Sequence, residues 1–228
     1  MNLFNEDSFL HSFFLSAGGF IGLNLLWIIT SVPVITAGAS TTALYYCTLK
    51  LHKDKDISIW KCYWKSFREN FFQATAVWLG LAGAGACIWL EERAVRTMPA
   101  PMCNVFVYVI WGMAFGLLIT ALYIFPVIAS FENKIRRLVP YTLYFAARKP
   151  GYALCMAAVT CLPMYFTLVD VKLFPVYLLI WLMCGFSLTA YCNSWFLWKL
   201  FKPYFPENGG EGERAGAEPE SDHILWRT

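Results

Sequence analysis

Long stretches without a charged residue are the feature that most restricts the fold of this chain. Four runs lack Asp, Glu, Lys and Arg altogether, at residues 71–90, 104–131, 151–169 and 173–198. A helix needs about 20 apolar residues to cross the roughly 30 Å of hydrocarbon in a bilayer. It also satisfies its own backbone hydrogen bonds, which lipid cannot do. Each run is therefore predicted to be one transmembrane helix.

A longer run near the start of the chain is predicted to hold a fifth span. Residues 8–49 contain no Asp, Glu, Lys or Arg and a single histidine, His11, and Pro33 and Gly38 interrupt the run. The segment that follows, 41–51, would reach only about 17 Å as a helix. We therefore expect one span at residues 13–35, and then a short helix that does not cross the membrane.

Composition agrees with a membrane protein and divides the chain in two. Apolar residues make up 58% of the chain and charged residues 14%, whereas soluble chains are near a quarter charged. The net charge of +3 is too small to indicate nucleic-acid binding. We predict an all-α, polytopic membrane helical bundle at residues 1–206, with five transmembrane helices and short amphipathic cytoplasmic helices. Residues 207–228 hold six acidic and two basic residues, which predicts an acidic, disordered cytoplasmic tail.

The placement of Lys and Arg predicts the orientation. Six basic residues lie in segment 50–70, five lie in segment 132–150, and Lys199 and Lys202 follow the last run. The alternate loops carry fewer, and the first seven residues carry none. Because cytoplasmic loops carry the excess of basic residues, we expect the N-terminus outside and the C-terminus in the cytoplasm.

Two of the cytoplasmic segments are predicted to be amphipathic helices on the membrane surface. Bulky apolar residues recur at helical spacing in the first of them: Ile57, Trp60, Trp64, Phe67 and Phe71. The second, after residue 134, has a weaker apolar face, and Pro140 is expected to bend it. The candidate membrane-surface cations are Lys61, Lys65, Arg68, Arg136 and Arg137. Such helices bind anionic lipid, and docking of a cytoplasmic partner is the alternative.

The interruption between residues 31 and 42 is the most distinctive local feature. Pro33 cannot donate a helical hydrogen bond, Gly38 permits a turn, and Ser40 or Thr41 can cap a new helix. A discontinuous helix of this kind can form a solute site, and a tight connector is the alternative. Polar residues within the runs, such as Asn24, are expected mainly to join helices. The candidate contacts with a solute or partner are Asn24, Pro33, Gly38, Ser40, Thr41, Glu132 and Asn133.

Motifs of catalysis and of metal binding are missing from the sequence. No nucleotide-binding loop, Gly-x-Ser-x-Gly or His-Glu-x-x-His sequence occurs. The eight cysteines form no Cys-x-x-Cys pair and are interpreted as small packing residues. We therefore expect no enzyme activity, cofactor or metal. Gly112 and Gly116 match the small-residue motif of helix contacts, which favours a packed bundle and self-association.

The sequence resembles one family in several blocks. Asn24-Leu25-Leu26-Trp27, the stretch from Ser31 to Tyr46, the stretch from Lys65 to Phe71, and Pro126 with Phe131-Glu132-Asn133 resemble the YesL-like family of bacterial integral membrane proteins. The resemblance covers about residues 1–205. The family is largely uncharacterised, and its members often occur beside carbohydrate uptake systems of Gram-positive bacteria. The resemblance implies a bacterial plasma-membrane protein with a role in carbohydrate uptake, and it supplies no catalytic or binding residues.

These observations lead to two functional hypotheses. The first is a non-enzymatic integral membrane accessory protein that supports carbohydrate uptake. Its expected partners are the lipid bilayer and either a membrane transporter subunit or a second copy of the chain, with no nucleic acid. The alternative is a small transporter or permease subunit for a neutral solute such as a sugar. It rests on the discontinuous first helix and on a hint of a parallel repeat, in which Pro33-Val34-Ile35 and Pro126-Val127-Ile128 correspond.

Overall fold

The structure is helical throughout the residues that it describes. This computed structural model describes residues 6–53, 57–97, 99, 102–131 and 135–202, with side chains from residue 18 onward except those of 135–137. The helices are α1 Glu6–Ser31, α2 Ala37–Lys53, α3 Ile59–Val95, α4 Met102–Ser130, α5 Ile135–Arg148, α6 Pro150–Val169, α7 Phe174–Ile180 and α8 Phe186–Phe201. A 3-10 turn, Val34–Thr36, precedes α2, and a π-helical turn, Trp181–Gly185, joins α7 to α8. The all-α prediction is confirmed.

Four helical segments are long and apolar enough to cross a membrane. They are Ile59–Val95, Met102–Ser130, Pro150–Val169 and Phe174–Phe201, and they match the four predicted uncharged spans to within one residue where a span extends beyond its helix. The fifth predicted span does not reach this length within the described side chains, because the apolar part of α1 is Gly18–Ser31. The helical membrane bundle is thus confirmed, while the count of five spans is not matched.

The first predicted surface helix is not a separate element. It is the beginning of α3, which runs without interruption for 37 residues. No Gly or Pro occurs between residues 59 and 79, so nothing in the sequence ends the helix at the membrane boundary. Lys61, Lys65 and Arg68 are exposed on its first three turns.

The second amphipathic helix is α5, which contains Pro140 within its length. Leu138 and Phe145 are buried on one side, while Leu143 and Tyr144 are exposed. Arg136 and Arg137 belong to α5, and their side chains lie outside the described part of the structure.

Contacts along α1 show the direction in which it runs. The position of Gly19 is next to Ile59, and the carbonyl of Val34 bonds to Trp78, so α1 runs parallel to α3. Against the last helix the order is reversed. Phe20 contacts Tyr191, while Asn24 contacts residues 181, 182 and 187. The start of α1 and the end of α8 therefore lie toward the same end of the bundle.

The chain turns back after α1, and α2 packs antiparallel to α3. Gly38 at the start of α2 contacts Ala74 and Trp78, whereas Cys47 near its end contacts the carbonyl of Ile59. α2 therefore lies within the bundle rather than along its surface. Its bounds, Ala37–Lys53, also exceed the short helix predicted from the sequence at residues 41–51.

One end of the bundle collects the starts of α1 and α3 and the ends of α2, α4 and α8, and we call it the basic end. The rings of Phe131, Phe145 and Phe201 pack there, with centroids 4.9–5.8 Å apart, and join α4, α5 and α8. α6 also begins there, because Tyr152 contacts Phe196. The return of the chain through α2 therefore leaves α1 and α8 antiparallel, with the described start of α1 and the end of α8 toward this end.

The predicted parallel repeat does not fit these directions. α4 runs antiparallel to α3, since Trp78 contacts Phe125 and Gly85 contacts Leu117. α1 is parallel to α3, so α1 and α4 run in opposite directions. Pro33 lies in a turn, whereas Pro126 lies inside a continuous helix.

Candidate functional site

The candidate site is the helical hairpin formed by α1 and α2, which contains most of the predicted contact residues. α2 is buried from Gly38 to Leu49 except at Thr41. Its hydroxyl side chains include Ser40, Thr42 and Thr48, all fully buried. Each donates to a backbone carbonyl three or four residues earlier in the chain, so its polar group is satisfied without water.

The turn of the hairpin lies between Ser31 and Ala37, where the helical hydrogen bonds are interrupted. Thr36 Oγ1 donates to the carbonyl oxygens of Thr30 at 2.5 Å and Pro33 at 2.7 Å. Trp78 Nε1 of α3 donates to the carbonyl oxygen of Val34 at 2.8 Å. Carbonyl groups freed by a break need such partners wherever water is scarce. The hydroxyl of Thr36 and the indole of Trp78 therefore replace hydrogen bonds that the break at Pro33 removes.

Ser40 and Thr41 bind neighbouring parts of the protein. The hydroxyl of Ser40 donates to the carbonyl of Thr36 at 3.0 Å, and its own carbonyl accepts from Tyr63 at 3.5 Å. Thr41 Oγ1 accepts from Trp27 Nε1 at 3.2 Å. Neither residue is the N-terminal cap expected from the sequence, because α2 begins at Ala37. Both instead hold the two helices of the hairpin to each other and to α3.

Gly38 marks a close approach between α2 and α3. A Cβ atom at this position would lie 2.5 Å from the carbonyl oxygen of Ala74 and 2.5 Å from Cβ of Trp78. One neighbour is a backbone atom and the other is fixed to the backbone, so neither can move aside by changing rotamer. The absence of a side chain at Gly38 therefore allows this packing.

Asn24 joins α1 to the π-helical turn. Its Nδ2 donates to the carbonyl oxygens of Trp181 at 2.9 Å and Leu182 at 2.8 Å, and its Oδ1 accepts from the backbone N–H of Ser187 at 3.0 Å. A π-helical turn disturbs the regular helical ladder. The Asn24 amide supplies partners there, so its geometry is that of an interhelical joint.

A second cluster of polar side chains lies where α2, α6 and α8 meet. Asn193 Nδ2 donates to Thr160 Oγ1 at 2.9 Å and to Tyr45 OH at 3.4 Å. Asn193 Oδ1 is buried and has no hydrogen-bond partner among the described residues. A buried polar atom without a partner is uncommon and costs about 1–3 kcal/mol. The amide therefore retains capacity to accept one further hydrogen bond.

His52 lies in the last turn of α2 at the basic end. Its Nε2 is hydrogen-bonded to Ser194 Oγ at 3.0 Å, and its ring stacks on Tyr191 with centroids 4.4 Å apart. Burial lowers the pKa of His52 below its ordinary value, and a hydrogen bond to the Tyr191 carbonyl opposes this effect. The neutral imidazole is thus the form that fits this packing.

The cations predicted at the membrane surface are accompanied by aromatic rings. The Arg68 guanidinium lies 5.9 Å from the centre of the Trp64 ring. Similar pairs occur at the same end, where Lys199 lies 3.5 Å from Trp195 and Lys149 lies 4.9 Å from Tyr152. Aromatic residues and cations together are typical of the boundary between lipid headgroups and water.

Some predicted residues are not brought into the hairpin. Glu132 and Asn133 lie outside the described residues, so the structure does not test their proposed contacts. Within the described residues, no three His, Cys, Asp or Glu side chains come close enough together to hold a metal ion.

The sequence did not single out several residues that hold the hairpin. Tyr63 bonds to Thr30 at 2.6 Å, and Trp27 and Trp78 donate across helices. The available signal is chemical, since a buried Tyr or Trp generally finds a partner for its polar group. The identity of each partner depends on tertiary packing and has no periodic pattern in the sequence.

Four apolar helical segments around a polar, buried helix define a polytopic helical membrane protein. Residues 20–91 match a family described as "Protein of unknown function, DUF624". That segment contains α2, the turn of the hairpin and most of α3. No solved structure matches the chain.

Two proteins of Bacillus subtilis (strain 168) are similar to this chain. The uncharacterized protein YesL is 27% identical over 152 residues, which are 63% of this chain and 71% of YesL. The uncharacterized protein YteU is 24% identical over 198 residues, which are 84% of each chain. These matches confirm the resemblance to the YesL-like family that the sequence indicated.

Proposed function

We propose that this protein is a non-enzymatic accessory protein of the bacterial plasma membrane that supports carbohydrate uptake by packing its helices against a transporter subunit. The link to carbohydrate comes from the family resemblance. The observation that carries the accessory role is an unpartnered apolar surface on α3 and α4. In the second half of α3, Gly85 faces Leu117 of α4, while Leu79, Trp89 and Leu90 are exposed.

The part of this surface with the smallest side chains lies along the glycines of α4. A Cβ atom added at Gly112 or at Gly116 would meet no other atom within 4 Å. Their neighbours Tyr108 and Trp111 are 78% and 62% exposed. In lipid, glycines four residues apart let another helix approach closely enough for dispersion contacts and weak hydrogen bonds. A partner's transmembrane helix fits this surface better than it fits one lined by bulky side chains.

The proposed orientation places the basic end in the cytoplasm. Its excess of Lys and Arg supports this side, because cytoplasmic segments carry more basic residues. Both termini would then face the cytoplasm, since α1 and α8 run antiparallel. The cation and aromatic pairs at this end would contact the lipid headgroups.

The experiment tests the glycine surface directly in a host that takes up the sugar. The double variant Gly112→Ile, Gly116→Ile fills the surface, and its Cβ atoms would meet no other atom of the chain within 4 Å. After cross-linking in native membranes, we expect at least tenfold less transporter to be recovered with this variant, and uptake to fall to that of a deletion strain. The control variant Met113→Ile, Phe115→Leu changes exposed apolar residues of the same helix and should leave both unchanged. Equal recovery for all forms, or normal uptake in the deletion strain, would refute the proposal.

A second candidate function is a small transporter or permease subunit for a neutral solute. The buried Asn193 Oδ1 favours it, since an unused acceptor between three helices suits a hydroxyl group. Liposomes that contain only this protein should then take up a radiolabelled sugar. The variant Asn193→Leu should abolish this flux. Absence of flux across a broad panel of sugars would exclude the second function and leave the accessory role standing.

A further inference from the structure

Charge is distributed unevenly between the two ends of the bundle. Thirteen basic and six acidic residues lie in the sequence segments next to the helix ends of the basic end, at positions 1–7, 50–70, 132–149 and 199–202. The opposite end, at residues 91–96 and 170–172, carries three of each sign. The excess positive charge of residues 1–206 is therefore carried by the sequence segments next to the basic end.

Several of these cations are exposed in the structure. Lys61 and Arg68 are exposed on the first turns of α3, Lys149 precedes α6, and Lys199 and Lys202 lie at the end of α8. The aromatic rings beside Arg68, Lys149 and Lys199 restrict where these charges lie. This end therefore presents exposed positive charge to an acidic ligand.

The acidic segment of the chain starts at the same end. α8 ends at Phe201, and the six acidic residues that follow lie between Glu207 and Asp222. Five residues span at most about 18 Å, so Glu207 cannot lie far from Lys202. Segment 207–228 has a net charge of −4. Tethering by a short linker gives an effective concentration on the order of millimolar, which favours binding within one molecule.

We propose that the acidic segment 207–222 binds the basic end of its own molecule and covers exposed cations such as Lys61 and Lys149. Opposite charge and the point at which the segment leaves α8 select this occupant. Bound in this way, the segment competes with anionic lipid headgroups for the same cations. The interaction is electrostatic and should weaken as salt shortens the screening length from about 10 Å at 0.1 M. It is independent of the proposed accessory function.

The experiment maps contacts between carboxylates and lysines in the full chain. The protein is placed in nanodiscs of neutral phosphatidylcholine and treated with a carbodiimide, which joins carboxylates to amines that touch. We expect cross-links from segment 207–222 to Lys61 or Lys149, with at least fivefold lower yield at 500 mM than at 50 mM NaCl. Lys172 at the opposite end is the internal control and should form none. A mixture of isotope-labelled and unlabelled protein distinguishes links within a molecule from links between molecules.

Two variants separate charge from sequence. Replacing all six acidic residues by Gln or Asn should abolish the cross-links, whereas a scrambled segment of the same composition should keep them. The proposal is overturned if the segment links only to Lys199 and Lys202, if it links equally to Lys172, if salt has no effect, or if links form only between molecules. In nanodiscs with 30% phosphatidylglycerol the links should decrease but persist. Their complete loss would overturn the proposal, because anionic lipid would then be the occupant.

Discussion

The close contact at Gly38 allows the packing of the hairpin to be tested with a substitution that adds one methyl group. In Gly38→Ala, the new Cβ would lie 2.5 Å from the carbonyl oxygen of Ala74, where ordinary contacts start at 3.4 Å. Because the neighbours are fixed to the backbone, α2 and α3 must separate by about 0.9 Å. A shift of that size would lengthen the 2.8 Å hydrogen bond from Trp78 to Val34 to about 3.7 Å, beyond useful range.

The expected loss of stability follows from three contributions. Overpacking costs about 1–3 kcal/mol, and loss of the hydrogen bond costs about 1 kcal/mol. Replacing Gly by Ala within a helix raises the free energy of unfolding by about 1 kcal/mol. We expect Gly38→Ala to lower the free energy of unfolding by about 2 kcal/mol, which corresponds to a fall in Tm of about 4–8 °C.

Thermal unfolding in one detergent, followed by circular dichroism, measures this difference. Gly80→Ala is the matched control on α3, because a Cβ atom at Gly80 meets nothing within 4 Å. The control should keep or slightly raise the Tm. If Gly38→Ala were as stable as Gly80→Ala, the close approach of α2 to α3 would be refuted.

Three further predictions follow from the same structure. Asn24→Leu should lower the free energy of unfolding by about 2–3 kcal/mol, because carbonyls at the π-helical turn lose their donor. The control Thr142→Val, whose buried hydroxyl donates to the Leu138 carbonyl within α5, should cost less than about 1 kcal/mol in the same denaturant titration. Burial lowers the pKa of His52 in the folded state, so the stability it contributes is present above about pH 6.5 and is lost as the pH falls through the folded-state pKa. The Tm should therefore drop between pH 7 and pH 5, and His52→Gln should flatten this dependence while His223→Gln leaves it unchanged. Epitope tags at the two termini should be digested by protease from the same side of sealed vesicles, and digestion from opposite sides would contradict the antiparallel arrangement of α1 and α8.

The sequence predicted the lipid-facing helices because side chains in contact with lipid must be apolar, and this raises the hydropathy of the whole segment. Four uncharged runs correspond to four apolar helical segments, and their order is right. α2 was missed as part of the bundle because a helix shielded by other helices need not be apolar. Its hydroxyls at Ser40, Thr42 and Thr48 reduce its hydropathy, yet each is satisfied by the backbone. Tertiary packing therefore overrode the signal on which span prediction depends.

The sequence indicated several residues of the hairpin but not their hydrogen-bond partners. Asn24, Gly38 and Ser40 stood out as polar or small residues within an apolar run, and all three lie in the hairpin. Their partners come from distant parts of the chain. Asn24 bonds to residues 157 and 158 positions later, and Trp78 reaches the turn from 44 positions away. No local pattern in a single sequence encodes such pairs.

The hydrogen-bond partners of the hairpin are synthesised only after the hairpin itself. When α1 and α2 leave the ribosome, the indole of Trp78 that serves the turn has not yet been translated. The π-helical turn that receives Asn24 follows only near the end of the chain. Until then, the nascent hairpin exposes a polar amide and open carbonyl groups that lipid cannot satisfy. We therefore expect the insertion machinery to retain the first two helices until the last one arrives, and chains truncated before α7 to be degraded rather than released into the bilayer.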